Sequence, residues 1–203
     1  FMGFDLSPEL RAEFKSSSTP VVVAGSVVND KELPAVRIDY RKAAKEAVTR
    51  LLDHNHDQVA LVTSSLGYSI NADDRLSGYK DALADAGVDF DDQLVIETDG
   101  SYKQIYDQAK AIADSGVKAA YVTNDHLAVG LLNGLTDSGI KVPDDFEIIS
   151  SNDTTYTRLC RPMLTSISQP LYDIGAVSMR LLTKLMEDKD DSESDVILEH
   201  SII

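Results

Sequence analysis

A single cysteine, Cys160, is all the thiol the chain carries. One thiol excludes an internal disulfide and any zinc or iron–sulfur site built from several cysteines, and it fits a reducing compartment. Positive charge is scarce as well: 19 Lys and Arg stand against 34 Asp and Glu, a formal balance of −15. Nucleic-acid backbones are held by a surplus of Lys and Arg, so the chain is not expected to grip DNA by itself. No apolar run approaches the roughly 18 residues that would suggest a membrane span. The glycine-rich phosphate cradles G-x-G-x-x-G and G-x-x-x-x-G-K-[ST] are missing, as is the G-x-S-x-G elbow of serine hydrolases. No internal repeat is visible. Only Asp188 to Asp195 is low in complexity, an acidic, serine-containing stretch that reads as a solvated connection.

What is present is ordinary globular material, 203 residues of which 43% are hydrophobic and 26% charged, enough for one large or two small domains. Phe1-Met2-Gly3-Phe4 reads like the end of a strand entering a turn, so the chain is expected to be a piece of something longer. Ser7-Pro8-Glu9 has the form of a helix start. After it, strand and helix signals alternate. Strands are expected at Pro20–Val23, Val36–Asp39, Gln58–Val62, Leu94–Glu97, Lys118–Val122, Glu147–Ile149, Thr165–Ser168 and Val196–Ile202. Between them, Ala43, Ala44, Ala47, Val48, Leu51 and Leu52 recur at helical spacing. Further helices are expected at Arg75–Ala86 (stopped by Gly87), Lys103–Asp114, Asp125–Ser138 and Pro170–Glu187. Strands alternating with helices of about ten residues or more predict an α/β fold with parallel, doubly wound sheets.

Such a sheet takes small ligands beyond the carboxyl ends of its strands, at a switch in strand order. Those ends carry Ala24-Gly25-Ser26, Thr63-Ser64-Ser65, Thr123-Asn124-Asp125 and Ser150-Ser151-Asn152-Asp153. All four sets are small and polar, a chemistry that suits a polyol and equally suits ordinary turns. His54-Asn55-His56, flanked by Asp53 and Asp57, is the best metal candidate. Its histidines lie two residues apart where a helix hands over to a strand, so a polar surface turn and no metal is the expectation. Asp73-Asp74, Asp91-Asp92 and Asp144-Asp145 adjoin helix starts or turns, where Asp caps backbone donors. No catalytic constellation emerges, no cofactor is implied, and the chain is not expected to be an enzyme.

Gly139-Ile140-Lys141-Val142-Pro143-Asp144-Asp145-Phe146-Glu147-Ile148-Ile149 is similar to the G-x-x-V-P-x-D-x-x-I-I segment of the lactose/galactose repressor family. Asn124-Asp125-His126-Leu127-Ala128-Val129-Gly130 and Arg75-Leu76-Ser77-Gly78-Tyr79 resemble further family motifs at the expected separations. Arg161–Ser166 and Gln169–Lys184 narrow the resemblance to members that govern carbon catabolite repression in Gram-positive bacteria. The resemblance implies a two-lobed, type I periplasmic-binding-protein-like core whose N-terminal lobe is incomplete here. That lobe would comprise 1–38 plus 168–189, and the C-terminal lobe 39–167 plus 190–203. A transcriptional repressor with a cytoplasmic location is implied, reaching operator DNA only through an N-terminal helix-turn-helix absent from this chain. A sugar-binding protein of a transporter shares the lobes and is the alternative.

Carried over by position, the resemblance places Arg75, Asn124 and Asn152 at an effector cleft. Relatives commonly carry Gly–aromatic–Asp where this chain reads Ser150-Ser151-Asn152. The missing carboxylate implies at most a weak sugar or sugar-phosphate site. Pairing of Arg75 with Asp73 or Asp74 is the structural alternative. A homodimer contact is expected from Tyr156, Leu159 and Met163, large apolar residues in an expected loop. Leu127, Leu131 and Leu135 read as core. On the 170–187 helix, Leu171, Ile174, Ser178, Leu181, Leu182 and Leu185 gather on one side at about 100° per residue. Tyr172, Asp173, Val177, Arg180 and Lys184 line the other side, either a solvated face or a face for a phosphorylated partner. The resemblance favours the second, with serine-phosphorylated HPr as corepressor held by Tyr172, Val177, Arg180 and Lys184.

Overall fold

The computed structural model describes residues 8–27, 33–54, 56–64, 66, 70–187 and 195–203. Phe1–Phe4, the Ser7 cap, Ser65 and most of the acidic stretch after Glu187 lie outside them. The described chain forms two units. The first holds the residues up to Asp39, Ile70 and Asn71, and those from Gln169 to His200. The second holds Tyr40 to Leu66, Ala72–Ser168 and Ser201–Ile203.

The first unit contains α1 (Pro8–Ser16), β1 (Val23–Ala24), β2 (Ala35–Ile38), α7 (Leu171–Met186) and β8 (Asp195–Leu198). Its sheet is parallel in the order β1-β2-β8, with Val23 opposite Ala35 and Ala35 opposite Asp195. Val23, Val36 and Ile38 are wholly enclosed, as befits apolar parallel strands. Helix α7 contributes Ile174 and Leu181 to that core. The expected buried side is narrower than its sequence suggests: Leu182 and Leu185 are half-buried, and Leu171 is 54% exposed. Leu171 is the first helical residue, so no preceding turn of its own helix covers it.

The second unit contains α2 (Tyr40–Asp53), β3 (Ala60–Ser64), most of α3 (Ile70–Asp85), β4 (Val95–Thr98) and α4 (Tyr102–Asp114). It continues with β5 (Ala119–Val122), α5 (Asp125–Asp137), β6 (Glu147–Ser151), α6 (Thr155–Leu159), β7 (Thr165–Ser168) and β9 (Ser201–Ile202). The sheet order is β4-β3-β5-β6-β7-β9, parallel except for the antiparallel pair β7–β9. Alternate residues on each strand face opposite sides. Ala60, Val62, Ala120, Val122 and Ile148 thus share one core with Ile105 and Ala109 of α4 and with Leu127, Leu131 and Leu135 of α5. Helices α4 and α5 approach closely at Gly130 and Gly134. A Cβ at Gly134 would overlap the Tyr106 carbonyl and the Ala109 side chain.

Two expectations are corrected. The C-terminal run Val196–Ile202 is not one strand, and 190–203 does not pass whole into the second unit. Asp195–Leu198 extends the first sheet beside β2, while Ser201–Ile202 turns back along β7. The polar pair Glu199-His200 separates them, and the choice of sheet is made by partners far off in sequence. Tyr156 and Leu159 lie on a short helix, α6, where a loop is expected. Five residues are too few to show helical periodicity.

Candidate strand-end site

In the second unit the chain runs from β3 to its neighbour β4, then crosses to β5 on the other side of β3. The order therefore reverses between β3 and β5, and small polar side chains gather at their carboxyl ends. The Thr123 hydroxyl lies 3.2 Å from that of Thr63, and the Thr98 hydroxyl donates to the Thr63 carbonyl at 3.1 Å. These residues are buried and hold the strand ends together.

Asn124 follows β5 and caps α5. Its amide oxygen accepts the His126 N–H at 3.3 Å, the usual service of an N-cap Asn to the first helical turn. The His126 imidazole bridges that oxygen (2.6 Å) and the Gly100 carbonyl (2.6 Å). Asp125, the residue after Asn124, is wholly buried and accepts hydrogen bonds from the Ser150 hydroxyl and from the Thr154 N–H.

Arg75 stands on α3 with its guanidinium 4.7 Å from the centre of the Tyr40 ring, a cation–π arrangement. Its Nε is enclosed without a hydrogen bond. Tyr121 of β5 is wholly buried, and its hydroxyl makes no hydrogen bond of ordinary geometry although Ser151 and Arg75 lie beside it. Burial pushes the Tyr121 phenol up, and the charge of nearby Arg75 acts in the opposite direction. Asn152 follows β6 with φ +115, and Asp153 with φ +50, both outside the regions that side chains prefer. Arg75, Asn124 and Asn152 thus all belong to the carboxyl-end rim of one sheet.

Both imidazoles of His54 and His56 lie 3.0 Å from the Glu147 carboxylate at the start of β6, forming a polar turn. Among the described residues no group of three His, Cys, Asp or Glu is arranged to hold a metal. Asp91 and Asp145 cap backbone N–H groups, of Gln93 and Lys141. An open depression of about 580 Å³ lies away from the strand ends, on the outer face of α2 around Lys42, Lys45 and Thr49. On α7, Tyr172 is 86% exposed, Arg180 and Lys184 are exposed, and Val177 is half-buried. On and after α6, Tyr156, Leu159 and Met163 are all exposed. Tyr40 and Tyr121 belong to the rim without having been singled out in the sequence, whereas Asp125 and His126 stood in the strand-end and family motifs without being given a role there.

Residues 48–203 match the model of the periplasmic binding protein-like domain. Over 202 residues the chain is 48% identical to catabolite control protein A of Streptococcus mutans, covering all of this chain and 60% of that protein. It spans about three fifths of the length of the curated relatives it matches. The solved structure of the transcription regulator CcpA of Lactococcus lactis superposes with a TM-score of 0.93 at 42% identity, over 100% of this chain and 74% of that one. A LacI family transcriptional regulator of Enterococcus faecium, solved with bound ribose, gives 0.88 at 26% identity over 100% and 77%.

Proposed function

The chain belongs to the family of periplasmic binding protein-like domains, in its lactose/galactose repressor branch, and from that premise we propose that it is the effector-binding and dimerisation core of a transcriptional regulator of carbon catabolite repression. The observation that carries this reading is the extent of the likeness to a catabolite control protein, which runs through the whole chain and both units. Operator binding then belongs to a part of the regulator outside this chain, a division that the charge of −15 supports. Among the described residues no helix is long and apolar enough to cross a membrane. The cytoplasmic location we infer follows instead from the likeness to transcription regulators.

The strand-end rim takes a small, polar effector weakly. Arg75 donates to ligand oxygens, in a fork if the ligand is a sugar phosphate, and Asn124 and Asn152 orient hydroxyls. The main control is assigned to serine-phosphorylated HPr on the exposed side of α7. There Arg180 receives the phosphoserine, Lys184 adds charge, and Tyr172 and Val177 supply apolar contact. Self-association uses Tyr156, Leu159 and Met163, a cluster of large exposed apolar side chains.

The test is calorimetric titration of the intact regulator with HPr in its serine-phosphorylated and unmodified forms. Selective binding of the phosphorylated form is expected. Indifference to the phosphate overturns the assignment of the partner.

A further inference from the structure

Two carboxylates with no part in the roles above hold α6 in place. Asp125, at the start of α5, is 1% exposed. One of its oxygens accepts the Ser150 hydroxyl, and the other accepts the Thr154 N–H at 2.6 Å, where the chain enters α6. Asp153, in the loop after β6, has 5% of its side chain exposed. It accepts a fork from Arg158 of α6, with Nε at 3.0 Å from Oδ1 and Nη2 on Oδ2, and the Ser168 hydroxyl at 3.0 Å. An enclosed carboxylate stays charged only where donors compensate it, and here each set of donors comes from more than one element.

Helix α6 needs such support. Its five residues are too few to persist as an isolated helix. The Thr154 hydroxyl does not cap it and is enclosed without a partner. The loop leading into it carries positive φ at both Asn152 and Asp153, backbone that persists only where its surroundings impose it. Helix α6 packs against α5, and its buried Thr157 donates to the Thr154 carbonyl and accepts the Leu164 N–H; the side-chain ties at its entry and at Arg158 come from Asp125 and Asp153.

We propose that Asp125 and Asp153 are positioning residues for self-association, fixing α6 in the pose that presents Tyr156 and Leu159 to a second copy of the chain. The proposal rests on the reading of α6 as a dimer contact. Tyr156 and Leu159 are 59% and 71% exposed, whereas the two carboxylates are enclosed and act through Thr154 and Arg158. A second copy is the occupant that suits this face: its apolar side chains flank Arg158, whose charge Asp153 already balances. Asn152 adjoins Asp153, so the same lock joins the strand-end rim to the dimer helix.

Sedimentation equilibrium on the intact regulator gives the dimer dissociation constant, with thermal melting as the check on folding. Leu159→Asp is expected to dissociate the dimer. Asp153→Asn and Arg158→Ala should each weaken it about tenfold, and the double variant should be no weaker than either single, because the two residues act as one unit. Asp125→Ala should weaken it too, with Asp125→Asn restoring most of the loss by offering a carbonyl to Thr154 and an amide to Ser150. Should Asp125→Ala fail to fold, the Asp153 and Arg158 variants decide alone. A dimer untouched by Leu159→Asp overturns the α6 reading and the proposal together. Dissociation by Leu159→Asp with wild-type constants for Asp153→Asn and Arg158→Ala overturns the positioning role alone, as do single losses that add in the double variant.

Discussion

The guanidinium of Arg75 lies over the Tyr40 ring, 4.7 Å from its centre, although the two residues belong to different helices of the second unit. A cation over an aromatic face is attracted to it, and a side chain held in place before a ligand arrives loses less freedom on binding. Removing the charge-assisted bonds should cost more than removing the platform. Arg75→Ala is expected to lower affinity for glucose 6-phosphate or fructose 1,6-bisphosphate about tenfold or more. Tyr40→Leu should lower it only a few-fold, and Tyr40→Phe hardly at all. Calorimetry on the intact regulator measures all three. Wild-type binding by Arg75→Ala would remove Arg75 from the site.

A second prediction concerns alkaline stability. Tyr79 is fully buried, and its hydroxyl donates to the Val59 carbonyl at 2.8 Å. Burial, helped by the negative charge of Asp91, raises its phenol to about 12. An unfolded tyrosine ionises near 10, so below that pH the phenol is neutral in both states and its contribution to stability is complete. Between 10 and 12 the unfolded state loses its proton first, and that contribution fades. Urea midpoints should therefore fall from pH 10 upward, less steeply in Tyr79→Phe. At neutral pH the same variant should lose about 1 kcal/mol, for a buried carbonyl left without its donor. An equally steep alkaline fall in the variant would show that Tyr79 does not contribute to it.

The alternation of strands and helices was legible because it rests on local periodicity. Ala43, Ala44, Ala47, Val48 and Leu51 mark the buried side of α2 in the sequence itself, and the structure buries those residues. What escaped is set by distant partners. His54 and His56 meet Glu147 across 93 and 91 residues, and no spacing rule signals such a pairing. The split of β8 from β9 depends on β2 and β7, which compete for similar short apolar runs. Arg75, Asn124 and Asn152 were visible as strand-end or family positions. Asp125 beside them was visible as a position too, but its burial was not, because an Asp in the first turn of a helix is usually a solvated cap.

The α4–α5 contact yields a third prediction. Gly134 sits where a Cβ would overlap the Tyr106 carbonyl and the Ala109 side chain, and the neighbour it meets first is backbone, which has little room to give. Gly134→Ala should then be destabilising by about 1–3 kcal/mol, although alanine is the better helix former, because overpacking outweighs the propensity gain of about 1 kcal/mol. Chemical denaturation measures the sum of the two effects. A stabilised variant would mean that the two helices part without cost.

The last prediction separates the two readings of the α7 face. Lys184 lies in the final turn of the helix, where a cation complements the negative end of the helix dipole, so its presence needs no partner. Arg180 lies one turn earlier, where that effect has faded, and it is exposed on a strongly acidic chain. Tyr172 stands two turns before Arg180 and is 86% exposed. A solvated face accounts for Lys184 through the helix dipole and gives Arg180 and Tyr172 no role, whereas a phosphorylated partner would use all three. Losing a charge-assisted hydrogen bond costs about 1.5–3 kcal/mol, so Arg180→Ala should weaken binding of serine-phosphorylated HPr about 10–100-fold. The exposed side chain has no part in the core, and the melting temperature should barely move. Arg180→Lys keeps the charge without the fork and should fall between. Equal affinities for wild type and Arg180→Ala, measured by titration with the phosphorylated protein, would show that the Arg180 side of α7 is simply solvated surface.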